Sequence, residues 1–416
     1  MWRETKTKRD WRGTAARVLL LAVLLAATAL GSFYLGRSQS PASLGEEDRE
    51  SLALYAEALD TVRDDYVDQE ALDPEKQTYG AIEGMLDTLG DKGHTRFLTP
   101  EEREQNEEGL SGTYVGIGVQ LEAERDEVVV ATPIEDSPAD RAGIRPGDVL
   151  VAVNGESVRG KDISEIVERV KGPEGTAVKL TVLRGEEERK FDLRRAEIRS
   201  PVVSWALIGD TDVAHVFLSS FSDDSAREIR EAFDEARAAG ARRFVLDLRN
   251  NPGGRLDQAI EISGYFLEPG SVAYVRKEAS GGREEIEVSE SGGSGLTDAP
   301  LAVLVNEGSA SSSEILAGAL RDNDRATVIG QTTFGTGTVL SEFVLKDGSS
   351  ILLGVAEWLT PDGDFIRETG IEPDVVVELE EGTEPLSPQD VRDLSREEAL
   401  ARDAQLRRAF ENLQGQ

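Results

Sequence analysis

Cysteine is absent from this 416-residue chain. That excludes a disulfide framework, a thiolate nucleophile and any cysteine-ligated metal. Histidine is almost absent: His94 and His215 are the two copies, too few for a His-rich metal site. Basic charge is scarce as well, with 46 Lys and Arg against 80 Asp and Glu and a net charge of −34. Nucleic acid and an anionic membrane surface are therefore poor partners for the bulk of the chain. The acidity reads as solubility or a salty setting rather than as substrate choice. No internal repeat is evident, and no cofactor or metal is expected.

What is present is globular. Hydrophobic content is 39%, and the length exceeds what one compact core holds, so two or three domains are expected. The first 17 residues carry Arg3, Lys6, Lys8, Arg9, Arg12 and Arg17 against Glu4 and Asp10, a local charge of 6 − 2 = +4. Val18 to Gly36 then runs without a charge. That length of apolar chain spans a bilayer, and its basic flank keeps the N-terminus cytoplasmic. A cleaved signal peptide is the competing reading, since Ala27-Thr28-Ala29 has the small-x-small form. Either way the remainder is exported; the anchor is preferred because the run exceeds a usual signal core. Residues 1–37 are thus taken as basic tail and transmembrane anchor.

Residues 38–110 begin with a polar linker and then read as helical, with Leu52, Tyr55, Leu59, Val62 and Tyr66, then Tyr79, Ile82, Met85 and Leu86, at steps of three and four. Asp73-Pro74-Glu75 marks a helix start. Residues 111–197 read as a β-rich module containing Tyr114-Val115-Gly116-Ile117-Gly118-Val119, the helix start Ser137-Pro138 and the hairpin dipeptide Asn154-Gly155. That order is similar to a PDZ domain, which implies capture of a C-terminal peptide by strand addition. The peptide carboxylate would then be held by a backbone nest at Gly116, Ile117, Gly118 and Val119.

From 198 to 380 strands and helices alternate, as in an α/β core with its site at the carboxyl ends of strands. Residues 278–297 read as a surface connection, and 381–416 as a tail of surface helices carrying Leu394, Leu400, Leu406 and Leu413. The segment around Gly308-Ser309-Ala310-Ser311-Ser312-Ser313 precedes an apolar helix with Ser313 as candidate N-cap. A serine at a helix N-terminus sits where free N–H groups favour developing negative charge. By itself that turn is better explained by capping.

Four further motifs decide between these readings. They are Asp247-Leu248-Arg249-Asn250-Asn251-Pro252-Gly253-Gly254, Phe334-Gly335-Thr336-Gly337, Thr360-Pro361-Asp362-Gly363 and Gly370-Ile371-Glu372-Pro373-Asp374. In this order, with the serine turn, they resemble the carboxy-terminal processing (tail-specific) peptidases over nearly the whole chain after residue 45. The resemblance implies a multidomain α+β protein: membrane anchor, helical segment, inserted PDZ domain, ClpP/crotonase-like α/β peptidase core and helical tail. It assigns the nucleophile to Ser311 and the oxyanion hole to Gly253 or Gly254 with Ser312.

The family's general-base lysine falls on Thr336, and its supporting glutamine on Leu340, so the usual Ser/Lys dyad is missing. His94, in Gly90-Asp91-Lys92-Gly93-His94-Thr95, matches the histidine element of the related tricorn-type branch, where it acts as base beside the serine. Glu368 is the candidate supporting acid there. Arg249 and Asn250 are expected to fix the oxyanion turn, and His215 to be structural. Partners implied are proteins with exposed C-terminal tails and, through the anchor, a membrane with the catalytic part on its extracytoplasmic side; homo-oligomerisation is left open. Two functions stand: an exported serine endopeptidase, or a pseudo-peptidase that binds tails as a scaffold.

Overall fold

The computed structural model describes residues 45–91, 94–124, 127–289, 296–380 and 382–415. The expected anchor, Val18 to Gly36, lies outside them. Among the described residues no helix is long and apolar enough to cross a membrane. The chain divides into two compact units, one ending at Thr78 and one running from Tyr79 to Gln416.

The first unit holds helix α1 (Glu46–Asp65), whose first turn carries Glu46, Glu47 and Asp48 against the positive helix end. A short 3-10 turn follows, then the start of α2 (Pro74–Asp87). Asp73 Oδ1 accepts the amides of Glu75 and Lys76 at 2.9 and 3.2 Å, with proline at the first helical position as expected.

In the second unit β1 (Arg96–Leu98) leads to α3 (Pro100–Ser111), opened by a Thr99/Glu102 capping box and closed by Gly112 at φ 69°. The β-rich module follows: β2 (Thr113–Gly116), β3 (Val119–Glu124), β4 (Glu127–Pro133), α4 (Pro138–Arg141), β5 (Val149–Val153), β6 (Glu156–Ser157), α5 (Ile163–Val170), β7 (Ala177–Arg184), β8 (Glu187–Arg194) and β9 (Ala196–Arg199). Its antiparallel sheet runs β3-β4-β5-β7-β8, with β6 paired to β5. Asn154 and Gly155 both take positive φ, 51° and 85°, the conformation a two-residue type I′ hairpin needs. Ile117, Val130, Ile166, Val178, Leu180 and Val182 form the module's own core. The β2–β9 pair joins it to the rest of the unit.

The α/β core comprises β10 (Val203–Leu207), β11 (Val213–Leu218), α6 (Ser225–Ala238), β12 (Arg243–Asp247), α7 (Leu256–Phe266), β13 (Val272–Glu278), β14 (Arg283–Glu287), β15 (Leu301–Val305), α8 (Ser312–Asp322), β16 (Thr327–Gly330), β17 (Thr338–Val344), β18 (Ser350–Leu359) and β19 (Val375–Val376). One sheet runs β10-β11-β12-β15-β16-β19, parallel from β11 onward. Residues 301–305 are buried throughout, as a parallel strand covered on both faces requires. Phe233, Phe244, Phe266, Leu316 and Leu320 pack under one face. A second sheet, β1-β18-β13-β14 with β17 on β18, is antiparallel.

Two expectations are corrected. Residues 283–287 are not a loose connection but strand β14, folded back on β13. The tail, α9 (Pro388–Arg392), α10 (Arg396–Arg402) and α11 (Ala404–Gln414), is not a surface appendage. Its Val391, Ala399, Leu406, Ala409 and Leu413 cover the other face of the parallel sheet, against Val213, Val245, Ala302, Leu304 and Ile329. A parallel sheet apolar on both faces needs that second layer.

Candidate active site

The serine turn follows β15, and the Gly-Gly turn follows the neighbouring strand β12, so adjacent strands deliver both to one end of the sheet. Helix α8 starts at Ser312, with Ser311 rather than Ser313 at the cap position. Three serines bind the Gly-Gly turn: Ser309 Oγ donates to Leu248 O at 2.7 Å, Ser312 Oγ to Gly254 O at 2.9 Å, and Ser313 Oγ to Asn251 O at 2.9 Å. Ser311 is not committed in this way. It is half-buried, at φ 53° and ψ −114°. A side-chain-bearing residue in that region costs about 1–3 kcal/mol and persists only where its surroundings over-determine it.

Those surroundings are explicit. A Cβ on Gly253 would sit 2.8 Å from Ser311 Cβ and 3.0 Å from Ser312 N; on Gly254 it would sit 2.3 Å from Phe221 O. Only glycine allows this approach, and both glycines take positive φ, 97° and 138°. Gly253 N–H is spent on Asn251 Oδ1 at 2.9 Å. The N–H groups of Gly254 and Ser312 have no hydrogen bond to any described residue. Of the expected oxyanion donors, Gly254 and Ser312 are therefore the unspent pair.

Glu314, fully buried on the first turn of α8, ties this turn to the next loop. It accepts the Ser311 amide at 2.9 Å, the Gly335 and Thr336 amides at 2.7 and 3.1 Å, and the Thr333 and Thr336 hydroxyls at 2.6 and 2.8 Å. Two residues beyond Thr336, Thr338 Oγ1 is hydrogen-bonded to His94 Nδ1 and donates to Asp91 Oδ2 at 3.5 Å. With the Thr338 hydroxyl turned to Asp91, Nδ1 is the nitrogen that donates and Nε2 keeps its lone pair. Burial, opposed by Asp91, lowers the His94 pKa below the ordinary imidazole value, with Arg96 and Arg367 adding to the lowering. No hydrogen bond joins His94 to Ser311. On the side of Asp91 and Thr338 opens a cavity of about 360 Å³, lined also by Thr95, Glu357 and Arg367.

The structure does not bring Glu368 to His94. Its amide is fixed on Gly335 O at 2.9 Å, its φ is 63°, and its side chain is exposed. Its neighbour Arg367 faces inward instead, 3.4 Å from Asp91. Arg249 is fully buried between Asp247 (2.6 Å) and Asp403 (2.8 Å), so it locks the oxyanion turn to the tail. His215, also fully buried, contacts Asp247 at 2.8 Å through Nε2, away from the serine turn.

The expected peptide site is a second, separate feature. The amides of Ile117 and Gly118 have no hydrogen bond to a described residue, whereas their carbonyls accept from Ala139 N and from Ile134 N and Ser137 Oγ. That polarity, with N–H groups left over and carbonyls consumed, suits a carboxylate. A groove of about 630 Å³ opens there, lined by Gly116, Ile117, Gly118, Val119 and Val167 of the module and by Ser219 of the core.

The model of peptidase family S41 matches residues 212–377, and a PDZ domain model matches residues 129–184. A "probable CtpA-like serine protease" of Staphylococcus aureus (strain COL) is 37% identical over 87% of this chain and 72% of its own. A protein of the same description from Staphylococcus epidermidis is 37% identical over 82% and 68%. The chain belongs to peptidase family S41. Among solved structures, a photosystem II D1 C-terminal processing protease is similar over 83% of this chain and 97% of its own, at 29% identity and a TM-score of 0.48.

As an S41 member it is a serine-type, C-terminal processing peptidase with a PDZ domain. Thr336, the residue that the motif resemblance sets against the family lysine, is buried with its hydroxyl spent on Glu314, and Leu340 lies half-buried in β17. Asp91, Thr338 and the full part played by Glu314 escape a reading of the sequence. Asp91, three residues before His94, had a local signal; Thr338 had none.

Proposed function

We propose that this S41 peptidase is an exported, membrane-anchored endopeptidase that captures protein C-termini in its PDZ groove and cleaves with Ser311. The observation that carries this reading is the strained Ser311, at a helix N-terminus with the unspent N–H groups of Gly254 and Ser312 beside it. Ser311 Oγ attacks the scissile carbonyl and gives its proton to His94 Nε2; the carbonyl oxygen, now negative, is held by the two N–H groups. Collapse breaks the C–N bond as His94 returns that proton to the leaving amine. Water then repeats the sequence on the acyl-enzyme, releasing the acid. Asp91, acting through Thr338, replaces Glu368 as the group that orients His94. The step requires Nε2 to come within reach of Oγ when substrate binds, since catalytic hydrogen bonds tighten in the complex. The basic N-terminus and the apolar run after it support a cell-membrane location with the catalytic part outside the cytoplasm.

A second reading, the pseudo-peptidase scaffold, is favoured by Thr336 at the lysine position and by the missing His94–Ser311 hydrogen bond. One assay separates the two: the full chain in detergent, with an unfolded reporter protein bearing an apolar C-terminus. Ser311→Ala is expected to lose about 10⁴-fold or more in kcat, and His94→Ala a comparable amount. Activity surviving in His94→Ala rejects histidine as base. A parent that binds the tail without cutting it establishes the scaffold.

A further inference from the structure

A carboxylate in the first turn of a helix ordinarily gains from facing the helix end and water. Glu314 is instead sealed from solvent, and every group around its oxygens is a donor: three amides and two hydroxyls. An ionised carboxylate accepts only, so this shell matches it completely. The Thr336 hydroxyl does two things at once. It donates to Glu314 Oε2 at 2.8 Å and accepts the Ser311 amide at 3.1 Å. The Ser311 N–H is thereby shared between the carboxylate and a hydroxyl that the carboxylate itself orients.

We propose that Glu314 and Thr336 are a positioning couple that holds Ser311 in its strained backbone conformation and so aims its hydroxyl. This is the work done by the residue at the lysine position in place of proton transfer. The assignment rests on Ser311 being the nucleophile. The couple also fixes the other half of the site. Glu314 pins residues 333–336, and Thr338, the second residue after that clamp, meets His94 Nδ1. Neither member of the couple touches the reacting atoms. Their effect passes through the serine's main chain and the strand that leads to the histidine.

The test is steady-state kinetics on the full chain in detergent, with the same reporter, beside the rate at which a fluorophosphonate probe captures Ser311. Thr336→Val keeps the volume and removes both hydroxyl bonds. Its kcat and capture rate should fall together by about 10–100-fold, with KM within about 2-fold. Thr336→Ser should restore both to within about 3-fold of the parent. Glu314→Gln, which sets an NH₂ among the donors, should fall by about 100-fold or more. Thr336→Ala makes the same cut should the valine variant not fold. A valine or alanine variant as fast as the parent, a loss confined to KM, or a serine variant no better than valine overturns the couple alone. A parent that neither cuts nor is captured removes the nucleophile, and the couple with it.

Discussion

Two backbone turns in this molecule are shaped to receive negative charge, and they are built differently. At Ile117–Gly118 the amides are left over while the carbonyls are consumed within the module. The charge to be received there is a finished carboxylate. At Gly254–Ser312 the amides are left over beside a serine at φ 53°, and three neighbouring hydroxyls and a buried carboxylate hold the geometry. Under the proposed mechanism the charge to be received there exists only during reaction. A turn for a ground state can be simple, because imprecision costs affinity alone. A turn for a transition state must be fixed in advance, because catalysis counts only what is stronger at that moment. The bonding around Ser311 is accordingly far denser than that around Gly118.

Glycine substitutions break the comparison at either end. The larger effect is expected at Gly254→Ala, where a Cβ would stand 2.3 Å from the Phe221 carbonyl at φ 138°. The turn must shift, and kcat should drop by about 10²–10³-fold with KM nearly unchanged. At Gly118→Ala the new Cβ meets Ser137 Cβ at 2.2 Å. Here KM for a tail-bearing protein should rise by about 10-fold, near 1.4 kcal/mol of tail affinity. Fluorophosphonate capture of Ser311 should stay at the parent rate. If Gly118→Ala slows capture as much as Gly254→Ala does, the two turns are not independent and the contrast fails.

Much of this arrangement could be read in the chain. The expected alternation of strands and helices from 198 to 380 is found, in Val213–Leu218, Leu256–Phe266, Leu301–Val305 and Thr327–Gly330 among others, because apolar runs bounded by turn residues have local causes. Motif order pointed to the serine turn and the Gly-Gly turn together, but it did not choose between Gly253 and Gly254; only the structure shows the Gly253 amide spent on Asn251. What was not legible is long-range. Thr338 meets His94 across 244 positions, and Arg249 meets Asp403 across 154. The tail leucines were visible as a helical period, but nothing in that period says which sheet face they cover. Glu368 was assigned by distance along the chain from Gly370. A left-handed backbone there turns its carboxylate outward and Arg367 inward, and no period in the sequence announces such a reversal.

The smallest expected effect separates the two turns without altering a residue. The charge received at the PDZ nest belongs to a peptide α-carboxyl, which titrates near 3.3–3.7 and stays ionised throughout the neutral range. The chemistry proposed at Ser311 requires neutral His94, whose pKa is lowered below the ordinary imidazole value of 6.5 chiefly by burial. A base with a lowered pKa keeps its lone pair further into acid, so kcat should hold through pH 6.5 and fall only below it. KM should remain flat over the same range. The depressed pKa also means that the unfolded chain takes up the proton first. Stability should therefore decline as pH drops from the ordinary imidazole value toward the folded one. Parallel pH series of kcat, KM and thermal midpoint test all three. An acid limb of kcat centred above 6.5 would mean that the titrating base is not this buried histidine. A KM that rises along with the fall in kcat would mean that the nest and the serine turn share one ionisation.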